Sequence, residues 1–196
     1  MQYVIMADSK ETRWNNYLNI TKQEIIIDGE NLLERMVRQI RKLDKNAKII
    51  ISSHNPYHKI AGCMLYASED DNKYKKMYLY EKINEPTIFL YGDTYYENNI
   101  IEIIINSLTN KVIFYGNENA IIAIKVTDYK LFKSKLDIYD GKKTLLHEFE
   151  EYDINKLFIH VGYNFKNINT SDDYHSLIKK LIKSKRWESE NYWKNL

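Results

Sequence analysis

With 196 residues the chain is long enough for one well-buried domain and short for two, so residues 1–196 are expected to form a single domain. A composition 44% hydrophobic and 29% charged is that of a globular protein; no apolar run could span a bilayer, and the first residues lack the charged start of a secretory leader, which points to the cytoplasm. The net charge of +2, with both signs interspersed, speaks against a nucleic-acid surface or a membrane partner, and a single cysteine, Cys63, excludes an intrachain disulfide.

In chain order, residues 2–6 read as a short strand, followed by a polar loop from Ala7 to Trp14. Asn31 with Glu34 three residues later forms a capping box, and it opens a helix whose Leu32, Leu33, Met36, Val37, Ile40 and Leu43 share one face. Residues 48–52 are a second strand, which completes the start of an α/β unit. His54 and His58 flank Asn55-Pro56 and read as loop residues rather than metal ligands. A helix is expected over 70–83. It leads into Thr87-Ile88-Phe89-Leu90-Tyr91, a continuous apolar run that fits a central parallel strand covered on both faces. That run stops at Gly92-Asp93. Ligands of open α/β sheets bind beyond the carboxyl ends of such strands, so Asp93 stands where a metal or phosphate ligand is useful.

Residues 97–108 read as a helix, 112–115 and 121–126 as strands, and Tyr129, Phe132 and Leu136 keep helical spacing. Residues 157–161 form a last strand, followed by a polar loop over 165–170. Thr170 and Asp173 cap a final helix striped with Tyr174, Leu177, Ile178, Leu181 and Ile182. The basic run 179–186 reads as a solvated helix end. Beyond it, Trp187, Tyr192 and Trp193 are expected to pack on the domain or on a second copy of the chain, which leaves a homodimer open.

Four pieces in this order resemble the nucleotidyltransferases of the glycosyltransferase-A-like, Rossmann-like fold, which include sugar-phosphate nucleotidyltransferases and methylerythritol-phosphate cytidylyltransferases. They are Ala7-Asp8-Ser9-Lys10-Glu11-Thr12-Arg13, in the frame of a glycine-rich loop; Thr21-Lys22-Gln23 with Asp28-Gly29; Leu90-Tyr91-Gly92-Asp93; and Asn167-Ile168-Asn169-Thr170 with Asp172-Asp173. The resemblance covers nearly the whole chain. It implies a three-layer α/β/α fold around a mostly parallel mixed sheet. The sequence departs from the pattern in Ser9 and Glu11, which replace glycines, in Thr21, which replaces a proline, and in the asparagines of the late loop.

The activity implied is transfer of a nucleoside monophosphate from CTP or another nucleoside triphosphate to a phosphorylated sugar or polyol, as in the supply of surface-polysaccharide precursors. Arg13, Lys22 and Asp93 are the implied catalytic set. Asp93 with Asn167 or Asn169 would hold Mg2+, and Ala7, Asp8, Ser9, Trp14, Gln23 and Gly92 would line the nucleotide. Lys125, on the strand 121–126, is a candidate for the acceptor phosphate. The lost glycines keep open a nucleotide-binding protein without turnover. A glycosyltransferase ranks last, because Gly92-Asp93-Thr94-Tyr95 lacks the second carboxylate of an Asp-x-Asp motif.

Overall fold

The computed structural model describes residues 1–8, 13–15, 17–109, 111–162 and 165–194. In chain order the strands are β1 (Gln2–Met6), β2 (Ile26–Ile27), β3 (Glu30–Asn31), β4 (Lys48–Ser52), β5 (Met64–Tyr66), β6 (Thr87–Tyr91), β7 (Thr94–Tyr96), β8 (Val112–Gly116), β9 (Ile121–Val126), β10 (Phe158–His160) and β11 (Phe165–Asn167). The helices are α1 (Leu32–Leu43), α2 (Lys73–Met77), α3 (Asn98–Asn106), α4 (Tyr129–Ile138), α5 (Ile154–Leu157) and α6 (Ser171–Lys194).

Seven strands hydrogen-bond in the order β10-β8-β9-β6-β1-β4-β5. Neighbours run parallel except at β9, which is antiparallel to both β6 and β8. The central strand β6 is therefore parallel on its β1 side only. Apolar runs without polar alternation need cover on both faces, and they have it. Tyr3, Ile5, Ile49, Ile51, Ile88 and Leu90 face one core with α1, α3 and α6. Val4, Ile50, Phe89, Phe114 and Ile124 face the other core with Phe132 and Leu136 of α4. The result is the expected α/β/α sandwich on a mostly parallel mixed sheet.

Local chemistry sets the boundaries. In α1, Asn31 Oδ1 accepts from Glu34 N at 2.9 Å and the Glu34 carboxylate returns a bond to Asn31 N at 3.0 Å, which is the capping box read from the sequence. The single helix expected over 70–83 is instead broken. Asn72 caps α2 at its start, and Leu79 takes a left-handed conformation (φ 49) before a 3-10 turn at Tyr80–Lys82. Tyr78, Leu79 and Ile83 all enter one core from this broken segment.

The expected polar loop over 165–170 begins as β11, antiparallel to β7 with Asn167 opposite Thr94. Edge strand β5 has no counterpart among the sequence expectations. The side chains of Trp187, Tyr192 and Trp193 lie outside the described residues.

Candidate functional site

Chain order reverses around β1: β4 lies on one side and the later β6 on the other. Such a switch point opens a crevice at the carboxyl ends of the strands. Three segments emerge there, at Ala7, Ser53 and Gly92, and short bonds hold them together. Ala7 N donates to the Ser52 carbonyl at 2.9 Å and Gly92 N to the Met6 carbonyl at 2.9 Å. A Cβ on residue 92 would lie 2.7 Å from that Met6 oxygen, so only glycine lets β6 and β1 close up here.

Asp93 follows directly. Its Oδ2 accepts from Lys22 Nζ at 2.6 Å, with the lysine side chain 6% and the aspartate side chain 17% exposed. Lys22 reaches it from a 3-10 turn at Lys22–Glu24, which Glu24 closes by accepting from Thr21 N at 2.8 Å. His58 ties this turn to the sheet: its Nε2 lies 3.0 Å from Thr21 Oγ1 and its Nδ1 2.8 Å from Ser53 Oγ. Burial pushes the imidazole pKa down, against the weaker upward pull of Glu24 and Asp8, so the ring is held neutral between two hydroxyls. No spacing rule marks His58, because its ring partners, Thr21 and Ser53, come from two separate segments.

The late loop completes the rim. Ile168 N donates to the Asp93 carbonyl at 2.8 Å, and Thr94 Oγ1 donates to Asn167 Oδ1 at 2.6 Å. Arg13 Nη2 donates to Asn169 Oδ1 at 3.0 Å, so these two expected site residues meet each other, 156 positions apart. Asp173 fixes the loop: its Oδ2 accepts from Asn169 N, Thr170 N and Thr170 Oγ1, and its Oδ1 pairs with Lys166 Nζ at 2.9 Å. Burial raises that carboxyl, but the bonds from Lys166, Thr170 and Asn169 outweigh it and hold the pKa below the ordinary value.

Asp8 accepts from the His54 ring at 2.6 Å on the exposed side of the crevice. Ser9 and Glu11 lie outside the described residues.

Four of the residues expected to meet substrate, Ala7, Trp14, Gln23 and Lys125, are placed in other contacts. Trp14 is 2% exposed, donates from Nε1 to the Ile20 carbonyl at 2.8 Å and packs edge-on against Tyr17; it is a core residue rather than a stacking platform. Gln23 is 1% exposed. The Ala7 amide serves the sheet through Ser52, as given above. Lys125 pairs with Ile88 near the start of β6, at the end opposite Asp93, and its Nζ donates to the carbonyls of Ile104, Ile105 and Ser107. It closes the carboxyl end of α3, where free carbonyls need a donor.

Among the described residues no three His, Cys, Asp or Glu side chains stand together as a metal cluster. Magnesium needs less than that, usually one or two protein carboxylates with water and phosphate. The Asp93 carboxylate and the Asn167 and Asn169 amide oxygens are hard oxygen donors. Among the described residues the Asp93 carboxylate meets Lys22, the Asn167 oxygen meets Thr94 and the Asn169 oxygen meets Arg13, and each keeps lone pairs beyond that bond, so the donor chemistry suits that ion. Among the described residues no helix is long and apolar enough to cross a membrane.

No family model matches the sequence, and no curated protein is significantly similar to it. Solved structures do match. A CTP:phosphocholine cytidylyltransferase from Streptococcus pneumoniae superposes with a TM-score of 0.64 at 15% identity, over 92% of this chain and 98% of that one. An inositol-1-phosphate CTP transferase from T. maritima gives 0.64 at 12% identity, over 93% and 94%. A 4-diphosphocytidyl-2C-methyl-D-erythritol synthase from Anaerococcus prevotii gives 0.62 at 15%, over 88% and 93%. At such identities the likeness is one of architecture, and the chain has the nucleotidyltransferase-type α/β fold of these proteins.

Proposed function

We propose that the chain is an enzyme that transfers a nucleoside monophosphate from CTP or another nucleoside triphosphate to a small phosphorylated acceptor, a sugar or polyol phosphate or a phosphate monoester of similar size. The observation that carries this reading is the buried Lys22–Asp93 pair at the mouth of the β1/β6 switch point. An acceptor phosphate oxygen attacks the α-phosphorus; the new P–O bond forms as the bond to the bridging oxygen breaks, and pyrophosphate leaves. The attacking oxygen is already ionised near neutral pH, so no general base is required. What the protein must supply is alignment of two anions and relief of their repulsion.

Lys22 offers a point charge to the triphosphate, and Arg13 on the rim offers a planar donor fork. Asp93, with Asn167 or Asn169, would hold magnesium, which when bound neutralises phosphate charge. His58 and Asp173 touch no reactant in this scheme; they position the Lys22 turn and the late loop. Supply of activated precursors for surface polysaccharide is the role the resemblance implies, and it rests on that resemblance alone.

Pyrophosphate release measured across a panel of triphosphates and acceptors tests the reading. Asp93→Asn should lower turnover by about a hundredfold or more while the protein stays folded, and Lys22→Ala should weaken triphosphate binding. Full activity in Asp93→Asn removes the reading. Because Glu11 adds a charge where the resembling proteins have glycine, a nucleotide-binding protein without turnover is the second reading. Triphosphate binding with no pyrophosphate release under saturating magnesium would favour it.

A further inference from the structure

On the face of the sheet opposite α1, a cavity of about 450 Å³ opens between the β8–β9 turn and the segments before and after α4. That is a size suited to a small ligand. Six aromatic residues stand at its wall, Tyr74, Tyr78, Tyr91, Phe114, Tyr139 and Phe158; Phe114 is fully buried and Tyr78 nearly so, which leaves the half-buried Tyr74, Tyr91, Tyr139 and Phe158 to meet a ligand. Glu118 brings a carboxylate to the same wall, and among the described residues no lysine, arginine or histidine lines it. Lys73 stands over the Tyr74 ring at 5.3 Å, but it is not part of the lining. The Tyr74 and Tyr139 rings meet at 4.5 Å, and Gly141 permits this, since a Cβ there would overlap the Tyr74 hydroxyl.

The polar groups of the wall are largely engaged. Asn117 Oδ1 accepts from Asn119 N and Ala120 N, while its Nδ2 donates to the Gly162 carbonyl. Thr144 Oγ1 bonds His147, Tyr139 donates to the Lys143 carbonyl, and the Tyr78 and Tyr91 hydroxyls face each other at 3.4 Å. A polyol entering here would leave most of its hydroxyls without partners, which is costly. A phosphate would meet no cation. An alkylated ammonium group needs neither: its methyls fill apolar space, and its charge is drawn to ring faces and to a carboxylate. Burial keeps the Tyr91 and Tyr139 phenols protonated, with pKa values above the usual ten, so their rings act as neutral cation acceptors.

We propose that this cavity binds the cationic head of the acceptor, a quaternary or heavily alkylated ammonium group. Tyr91 connects the two halves of the site: it lines the cavity, ends β6 two residues before Asp93, and feels the charge of that aspartate. Only the step from cavity ligand to acceptor rests on the nucleotidyl-transfer reading; binding in the cavity does not.

Calorimetric titration of the full chain with choline, and with its neutral carbon isostere 3,3-dimethylbutan-1-ol at matched ionic strength, separates charge from shape. Choline is expected to bind about tenfold more tightly than the isostere. Tyr139→Leu and Glu118→Gln should each shrink that preference several-fold, and Tyr139→Phe, which keeps the ring, should retain it. Equal affinity for the two compounds, binding of neither, or a preference indifferent to Tyr139→Leu and Glu118→Gln overturns the proposal. Neither probe carries a phosphate, so a choline preference that persists in a protein unable to bind any triphosphate upholds the cavity and removes the nucleotidyl-transfer reading instead.

Discussion

Lys125 sits 5% exposed on a central strand, and burial lowers its pKa, yet it is satisfied by three carbonyls at the end of α3. Removing it by Lys125→Met keeps the volume and strands those carbonyls. A loss of about 1–3 kcal/mol in urea unfolding is expected, with nucleotide affinity unchanged. His58 makes the opposite kind of statement, through pH. Its folded pKa lies below the ordinary value of about 6.5, so the unfolded chain takes up the proton first. Its contribution is whole above about pH 6.5 and is lost as pH falls through that value towards the folded pKa. Urea melts at neutral and mildly acid pH should show the decline, and His58→Gln should flatten part of it. Neither role was legible in the sequence. A lysine on a strand and a histidine after a proline carry no local mark of the carbonyls or hydroxyls that long-range packing brings to them.

Elements were legible where one segment decides its own structure. The capping box and apolar face fix α1, and the uninterrupted apolar run fixes β6, because both signals are complete within a few turns or residues. The helix expected over 70–83 fails at Leu79, whose left-handed backbone no local sequence signal announces. The β7–β11 pairing was hidden for the same reason: its strands are short, and each finds its partner some seventy positions away, as with Thr94 and Asn167. Of the expected site, Lys22, Asp93, Arg13, Asn167 and Asn169 gather at one rim, and Trp14, Gln23 and Lys125 do not. Gly92 joins element to site. In Gly92→Ala the new methyl would meet the Met6 carbonyl, so β6 must shift away from β1 and carry Asp93 with it. About 1–3 kcal/mol of destabilisation is expected, together with a fall in turnover larger than the fall in stability explains; a fully active Gly92→Ala protein would separate Asp93 from the chemistry.

At the scale of the molecule, the two cores divide the labour across a single sheet. The α1 side carries the Lys22 turn and the late loop against its packing, while the α4 side holds the aromatic cavity, and β6 reaches both, ending at Tyr91 in the cavity wall and leading through Gly92 to Asp93. The late loop has a temporal consequence as well. A ribosome delivers Arg13, Lys22 and Asp93 well before residue 165, so a nascent chain can pair β1, β4 and β6 and seat the Lys22–Asp93 ion pair while still tethered. Asp93 must then wait for Ile168 to bond its carbonyl, and Arg13 for Asn169. The rim is therefore the last part of the candidate site that synthesis can complete, because the bonds that close it come from residues 168 and 169.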